Sequence, residues 1–365
     1  MPIKVLHVIA GMGSGGAESM LMNWYRNIDR NVVQFDFLLR SKENIYADEI
    51  ERLGGKVYYT AEFPRHYLKN KKQTIKFFKE HASEYSAIHV HCNALLYVNV
   101  FNIAKKYGIK TRIIHSHSTK TKNKLFEIFH KANKKKIHKL ATNYFACSNE
   151  AGKWAFSKKI NYQVVNNGID VERFRYSAAF REETRNELGL EKNFVIGHVG
   201  RFLDVKNHIF LVNAFEKICK IRQDAKLLLI GTGPLEDEIK SQVKTRGLSD
   251  KVLFLGVRKD VEKLYSTMDV FAFPSKYEGL GIALIEAQTS GLCCIASNRI
   301  SVESKISDRV KFLDINNSDL WVEEITKAKI DYDREDCYKE TIISGFDIKS
   351  TVKLLQSYYT GDKND

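Results

Sequence analysis

The chain has 365 residues, 44% of them hydrophobic and only four of them proline, which excludes a disordered protein and predicts a globular α/β protein of two domains. Its net charge of +14 is unevenly spread: residues 1–170 carry 28 lysines and arginines against 13 acids, whereas the remaining 195 carry 30 against 31. No run of 18 apolar residues is present, the start Met1-Pro-Ile-Lys-Val lacks the marks of a secretory leader, and the six cysteines show no C-x-x-C spacing. The expectation is a reduced, cytoplasmic protein without a membrane span.

Short apolar runs at 5–9, 32–39, 56–59, 87–91, 111–115, 144–147 and 163–165 read as strands, and helical patterns such as 94–106 and 149–156 separate them. Such alternation predicts a parallel sheet covered on both faces. After the first strand comes Gly11-Met-Gly-Ser-Gly-Gly-Ala-Glu18, with four glycines in six residues. It satisfies G-x-G-x-x-G, and Asp36 stands 20 residues past Gly16, which is the dinucleotide-binding fingerprint. Asp36 falls inside an apolar run, however, not at its end where a ribose would lie.

Two basic stretches follow. Residues 65–79 hold six cations and no acid, interleaved with Tyr67, Ile75, Phe77 and Phe78. Residues 120–139 hold eight lysines against Glu127 alone, interleaved with Leu125, Phe126, Ile128 and Phe129. Both suit an anionic bilayer surface. His89-x-His91 has metal-like spacing but belongs to an apolar strand, so a structural role is expected. His115-Ser-His-Ser118 ends the next strand; alternation keeps His115 in it and leaves His117 at its carboxyl edge.

A turn-rich boundary, Asn166-Asn-Gly-Ile-Asp-Val-Glu-Arg-Phe174, divides residues 1–170 from 171–345. The strand pattern restarts at 194–199 and continues through 226–230, 252–255, 270–273, 292–296 and 310–313. In Gly200-Arg-Phe-Leu-Asp-Val-Lys-Asn207 two cations flank a strand end; Arg201 can grip a diphosphate with forked hydrogen bonds and Lys206 as a point charge. Gly231-Thr-Gly-Pro-Leu235 follows the next strand. Phe273-Pro-Ser-Lys-Tyr-Glu-Gly-Leu-Gly-Ile-Ala-Leu-Ile-Glu286 then sets Glu278 and Glu286 eight residues apart across a glycine-containing loop and a helix start. Two acids beside bare amides suit a ligand rich in hydroxyls that also carries phosphate, such as a sugar nucleotide. Asp331-Tyr-Asp333 has D-x-D form but lies in an acidic stretch remote from any strand-end loop, and is read as accidental.

These motifs, in this order over nearly the whole chain, resemble the retaining GT-B glycosyltransferases of family 4 (glycosyltransferase group 1), in particular bacterial capsule and exopolysaccharide enzymes. The resemblance implies two doubly wound Rossmann-like domains facing across a cleft, with a last helix within about 346–365 returning to the first domain. It implies that the amides of Gly15 and Gly16 approach the donor phosphate, that Arg201 and Lys206 neutralise the diphosphate, and that Gly233 lies beneath the nucleotide. Glu278, Gly279, Leu280 and Gly281 would surround the transferred sugar, Glu286 would hold the ribose, and His117 would align the reacting centre. The donor is expected to be UDP-linked, with no metal and no other cofactor. The acceptor is expected to be a polyprenyl-diphosphate-linked glycan at the inner face of the cell membrane, reached through the basic first domain, with no nucleic acid involved. Two other readings stand beside it: an NAD-dependent oxidoreductase using the Gly11–Gly16 loop, and a non-catalytic basic protein that binds membranes or nucleic acid.

Overall fold

The computed structural model describes residues 1–13, 15–121, 123–278, 280–328 and 333–362. Among these residues the strands form two wholly parallel sheets. The first contains β1 (Ile3–Ile9), β2 (Val33–Leu39), β3 (Val57–Tyr59), β4 (Ala87–Cys92), β5 (Thr111–Ser116), β6 (Asn143–Ala146) and β7 (Gln163–Val164), in the order 3-2-1-4-5-6-7. The second contains β8 (Phe194–Val199), β9 (Ala225–Ile230), β10 (Val252–Gly256), β11 (Val270–Phe273), β12 (Cys293–Ser297) and β13 (Val310–Leu313), in the order 10-9-8-11-12-13. Each order reverses direction beside its first strand, as in a doubly wound sheet. A parallel strand is covered by helices on both faces, which is why β2 can be apolar almost throughout and is buried along its whole length.

The chain divides into two compact units, residues 1–169 with 347–365 and residues 170–346. The first unit is completed from the far end of the sequence. The chain returns beside the point where it left, Ile348 N donating to Ile169 O at 2.9 Å. The helix Ile348–Thr360 then buries Ile348, Val352, Leu355 and Tyr359 in the core under Trp24, Tyr25 and Phe35. Burying such side chains stabilises by about 1.5–3 kcal/mol each.

Two expectations are corrected, and the mid-strand position expected of Asp36 is observed. The helix expected from residue 94 begins at Asn99, because side chains of the helix Lys124–Lys134 claim the backbone before it: Leu95 N donates to His130 Nδ1 at 3.1 Å, and Asn133 Nδ2 donates to Leu95 O at 2.7 Å. In the basic helix Tyr67–His81, Phe77 and Phe78 are core residues rather than surface ones, while Leu68 and Ile75 are exposed. Asp36 is buried in mid-strand, where it accepts from Lys56 N at 2.7 Å and Tyr85 Oη at 3.0 Å. Its oxygens serve the sheet, not a ribose, and the dinucleotide reading loses its acidic residue.

Gly231 has φ +130°, and a Cβ there would stand 2.2 Å from Gly200 O. Gly231→Ala is expected to lower stability by about 3 kcal/mol in denaturant unfolding, through both strain and a clash with rigid backbone.

Candidate functional site

The C-terminal unit draws two strand-end loops into one structure. Arg201 leaves β8 and is exposed, with no side-chain partner among the described residues. Lys206 closes a short 3₁₀ turn, Asp204–Lys206, and Asn207 follows in a left-handed conformation, φ 59°, to start the helix His208–Ile221. The loop after β11 is tied to this one by several hydrogen bonds, including an ion pair of Lys276 with Asp204. Lys276 N donates to Val205 O at 2.8 Å, Asn207 Nδ2 donates to Pro274 O at 3.2 Å, and Lys206 Nζ donates to Glu278 Oε1 at 2.5 Å. In this structure Glu278 compensates the Lys206 charge.

Gly233 is tight for a reason within the protein, since a Cβ there would lie 2.7 Å from both Phe202 N and Phe202 O. The Gly231–Leu235 loop is thereby pressed against the residue that follows Arg201. Gly281 caps the helix Ile282–Thr289 and packs on Phe273, with Leu280 half-buried before it. Gly279 lies outside the described residues, as does Asp331. Glu286 sits in the second turn of that helix, where Tyr265 Oη donates to its Oε2 at 2.9 Å. Burial raises its carboxyl to about 7, against the smaller opposing effects of the Tyr265 bond and Arg173.

In the N-terminal unit the Gly-rich loop opens the helix Gly16–Asn27, with Gly15 at its N-cap and the Glu18 side chain folded back over Gly15. The larger surprise is on the sheet. Register pairs His7 with His89 and His91 with His115, and His117 follows two residues on. Five imidazoles thus share one face. His91 Nδ1 pairs with His117 Nε2 at 2.9 Å, His7 Nδ1 with His91 Nε2 at 3.0 Å, and His89 Nε2 with His115 Nδ1 at 3.2 Å. The Tyr359 hydroxyl closes the other end against His89 Nδ1 at 2.6 Å.

Burial holds all five imidazoles neutral; those of His7 and His117 fall to about 3. Nε2 of His7 is buried without a partner, and a bare lone pair there costs less than an orphan N–H. The protons then run from His7 Nδ1 to His91 Nε2 and from His91 Nδ1 to His117 Nε2, which leaves Nδ1–H of His117 as a donor. The structural role expected for His89 and His91 is thus a specific one. The triads His7–His89–His91 and His91–His115–His117 hold ring nitrogens within 4.8 Å of one another, a set that could bind a transition-metal ion. Most of their rings lie at 15–30° to one another, for example 16° for His89–His91 and 28° for His115–His117.

His117 opens onto a cavity of about 320 Å³, also lined by Ala17, Glu18 and Arg40. The structure therefore brings the Gly-rich loop and the strand-end histidine to one place, and Arg201, Lys206, Glu278 and the Gly233 loop to another.

Two doubly wound parallel sheets with their polar groups gathered at the carboxyl edges have the architecture of the GT-B class. Anabaena Alr3699/HepE, solved in complex with UDP, has this fold at a TM-score of 0.77, covering 98% of this chain and 100% of that one at 19% identity. Residues 14–173 match the profile for Glycosyltransferase Family 4, and residues 180–342 that for Glycosyl transferases group 1. EpsF of Bacillus subtilis (strain 168), which carries a provisional glycosyltransferase name, is 33% identical over 98% of this chain and 96% of its own. An Escherichia coli UDP-Gal:alpha-D-GlcNAc-diphosphoundecaprenol alpha-1,3-galactosyltransferase is 25% identical over 98% of this chain and 96% of its own. The chain belongs to this family of glycosyltransferases.

The position of Glu286 on its titration curve has a consequence for ligand binding. If its carboxylate accepts the ribose hydroxyls, UDP affinity rises with pH through about 7 as the carboxyl loses its proton. Glu286→Gln should flatten that dependence and weaken binding about tenfold, as for hydrogen bonds to a charged group. Calorimetric titrations between pH 6 and 8 check this, and an affinity that does not change with pH excludes the role.

Proposed function

We propose that the protein is a retaining hexosyltransferase of surface-polysaccharide synthesis, moving a sugar from a UDP-sugar to a hydroxyl of a polyprenyl-diphosphate-linked glycan. The observation that carries this reading is the joining of the Arg201–Lys206 and Pro274–Gly281 loops around the Lys206–Glu278 pair. The E. coli relative uses, by its name, a UDP-sugar and a diphosphoundecaprenol-linked acceptor.

Arg201 and Lys206, with nearby amides, take the place of a metal in neutralising the diphosphate. When the donor binds, its phosphates compete with Glu278 for Lys206, and the released carboxylate accepts from the sugar hydroxyls. The acceptor oxygen attacks the anomeric carbon on the face that the diphosphate leaves, and its proton passes to the departing phosphate oxygen. Stabilising the charge that grows on the leaving group supplies the largest part of the acceleration.

Among UDP, GDP, ADP, CMP and NAD, UDP alone should raise the melting temperature, with or without Mg²⁺, because it binds only the native state. Arg201→Ala and Lys206→Ala should each lower turnover roughly 100-fold, about 3 kcal/mol. A shift with NAD instead, or near-normal turnover in either variant, would sink the assignment.

The membrane reading rests on the helix Lys124–Lys134. Leu125, Ile128 and Phe129, at i, i+3 and i+4, are 56%, 63% and 53% exposed, among exposed Lys124, Lys131 and Lys135. An apolar stripe flanked by lysines suits the surface of an anionic bilayer, at roughly 1 kcal/mol per nearby cation. Among the described residues no helix is long and apolar enough to cross a membrane. Replacing all three apolar residues by Glu should abolish co-sedimentation with phosphatidylglycerol vesicles and leave UDP-sugar hydrolysis unchanged. Unaltered co-sedimentation would refute the membrane role of this helix.

A further inference from the structure

One cation in the N-terminal unit has no compensation. Arg40 leaves the carboxyl end of β2, its backbone N–H donating to Ala10 O at 3.0 Å. Its Nε is buried and has no hydrogen-bond partner, and no carboxylate among the described residues lies within ion-pairing distance of its guanidinium. What it has is aromatic: the guanidinium carbon stands 4.3 Å from the Tyr97 ring centroid and 5.6 Å from that of Phe63. Cys92, the nearest thiol, stays protonated, since burial pushes it up to about 12.

The same protein shows how it buries an arginine whose role is structural. Arg334 donates from Nε to Ser290 O at 2.7 Å, from Nη1 to Met268 O at 3.0 Å, and from Nη2 to Tyr265 O at 2.9 Å and Ser290 Oγ at 3.0 Å. A half-buried cation whose Nε is shut off from solvent without such partners is costly unless something else completes it. Arg40 lines the cavity that His117 opens onto, together with Glu18, Tyr97, Lys120 and Phe126. Glu18, the one acid among the lining residues, is turned over Gly15 and does not reach Arg40. The cavity offers a forked cation, a neutral imidazole N–H and aromatic walls, in a volume of about 320 Å³ that admits a sugar-sized ligand.

We propose that this cavity is an oxyanion site for the acceptor, in which Arg40 takes a phosphate or carboxylate group while Tyr97 and Phe126 wall the attached sugar. The proposal rests on the glycosyl-transfer reading and adds to it that the acceptor carries negative charge close to His117. A planar guanidinium serves phosphate and carboxylate equally well. A diphosphate link and a uronic acid are the two sources.

The test uses the full chain saturated with UDP, so that the nucleotide site is filled, titrated calorimetrically with pyrophosphate and separately with glucuronate. The UDP response itself reports on the nucleotide reading; the difference between wild type and Arg40→Met reports on this one. At least one of the two anions should bind the UDP-saturated wild type, and its dissociation constant should rise at least about tenfold in Arg40→Met, the loss expected of a charge-assisted bond. Arg40→Lys should keep part of the affinity. Binding of pyrophosphate alone assigns a phosphate, and binding of glucuronate alone a carboxylate. The unliganded Arg40→Met protein should bind UDP as the wild type does and melt no lower, because a half-buried charge without an ionic partner has been removed. Failure of both anions to bind the wild type, equal binding to Arg40→Met, or a marked loss of melting temperature in Arg40→Met would each overturn the proposal.

Discussion

The loops that carry the candidate chemistry of this protein sit where parallel strands run out. A strand buried on both faces spends its backbone groups on its neighbours and its side chains on the core. Only at the carboxyl edge do N–H groups and polar side chains face space that a ligand can occupy. The Gly-rich loop follows β1, Arg40 follows β2, His117 follows β5, Arg201 follows β8, Gly231 follows β9 and Glu278 lies after β11. The two sheets solve the same packing problem and so deliver functional groups to the same edge.

Within each unit the loops differ in how their charges are settled. In the C-terminal unit Lys206 and Glu278 hold each other, so the diphosphate of the proposed donor would enter by exchange. In the N-terminal unit the imidazoles are kept neutral and pair with one another, while Arg40 is left with aromatic faces alone. Paired ions cost little to store and must be separated on binding; an unpaired one costs stability at rest and returns it when a ligand arrives. The division fits the proposed reading, in which the donor always brings a diphosphate and the acceptor is selected by its charge.

Much of this was legible in the residues. Alternating apolar runs gave the strands to within a residue or two, since a parallel sheet leaves an almost unbroken hydrophobic signature. Arg201, Lys206 and Glu278 could be placed at strand ends because the glycines and Pro274 mark where the strands stop. The imidazole ladder was not legible. His7, His89 and His115 meet only through the register of three strands that are far apart in sequence, and spacing along one strand, as in His89-x-His91, carries no trace of it. Arg40 was missed for a related reason, since an arginine after an apolar run is ordinary until its surroundings are known to lack a carboxylate. The aromatic residues of the basic stretches divided between core and surface, because periodicity ranks the faces of a helix without saying what covers them: Phe77 and Phe78 went inward, whereas Ile128 and Phe129 did not.

The late return of the chain also bears on how the protein is made. Residues 170–346 are an insertion within the first unit, whose core lacks Ile348, Val352, Leu355 and Tyr359 until the last helix exists. On a ribosome, where domains tend to fold as they emerge, the second unit is complete before the first can be. Its predecessor must wait with one flank of its core open for the time it takes to synthesise the intervening 177 residues. The Tyr359 hydroxyl, which pairs with His89 Nδ1 at 2.6 Å, comes from this returning helix. Until that returning segment is made, His89 Nδ1 lacks the hydroxyl partner that it has in the folded unit.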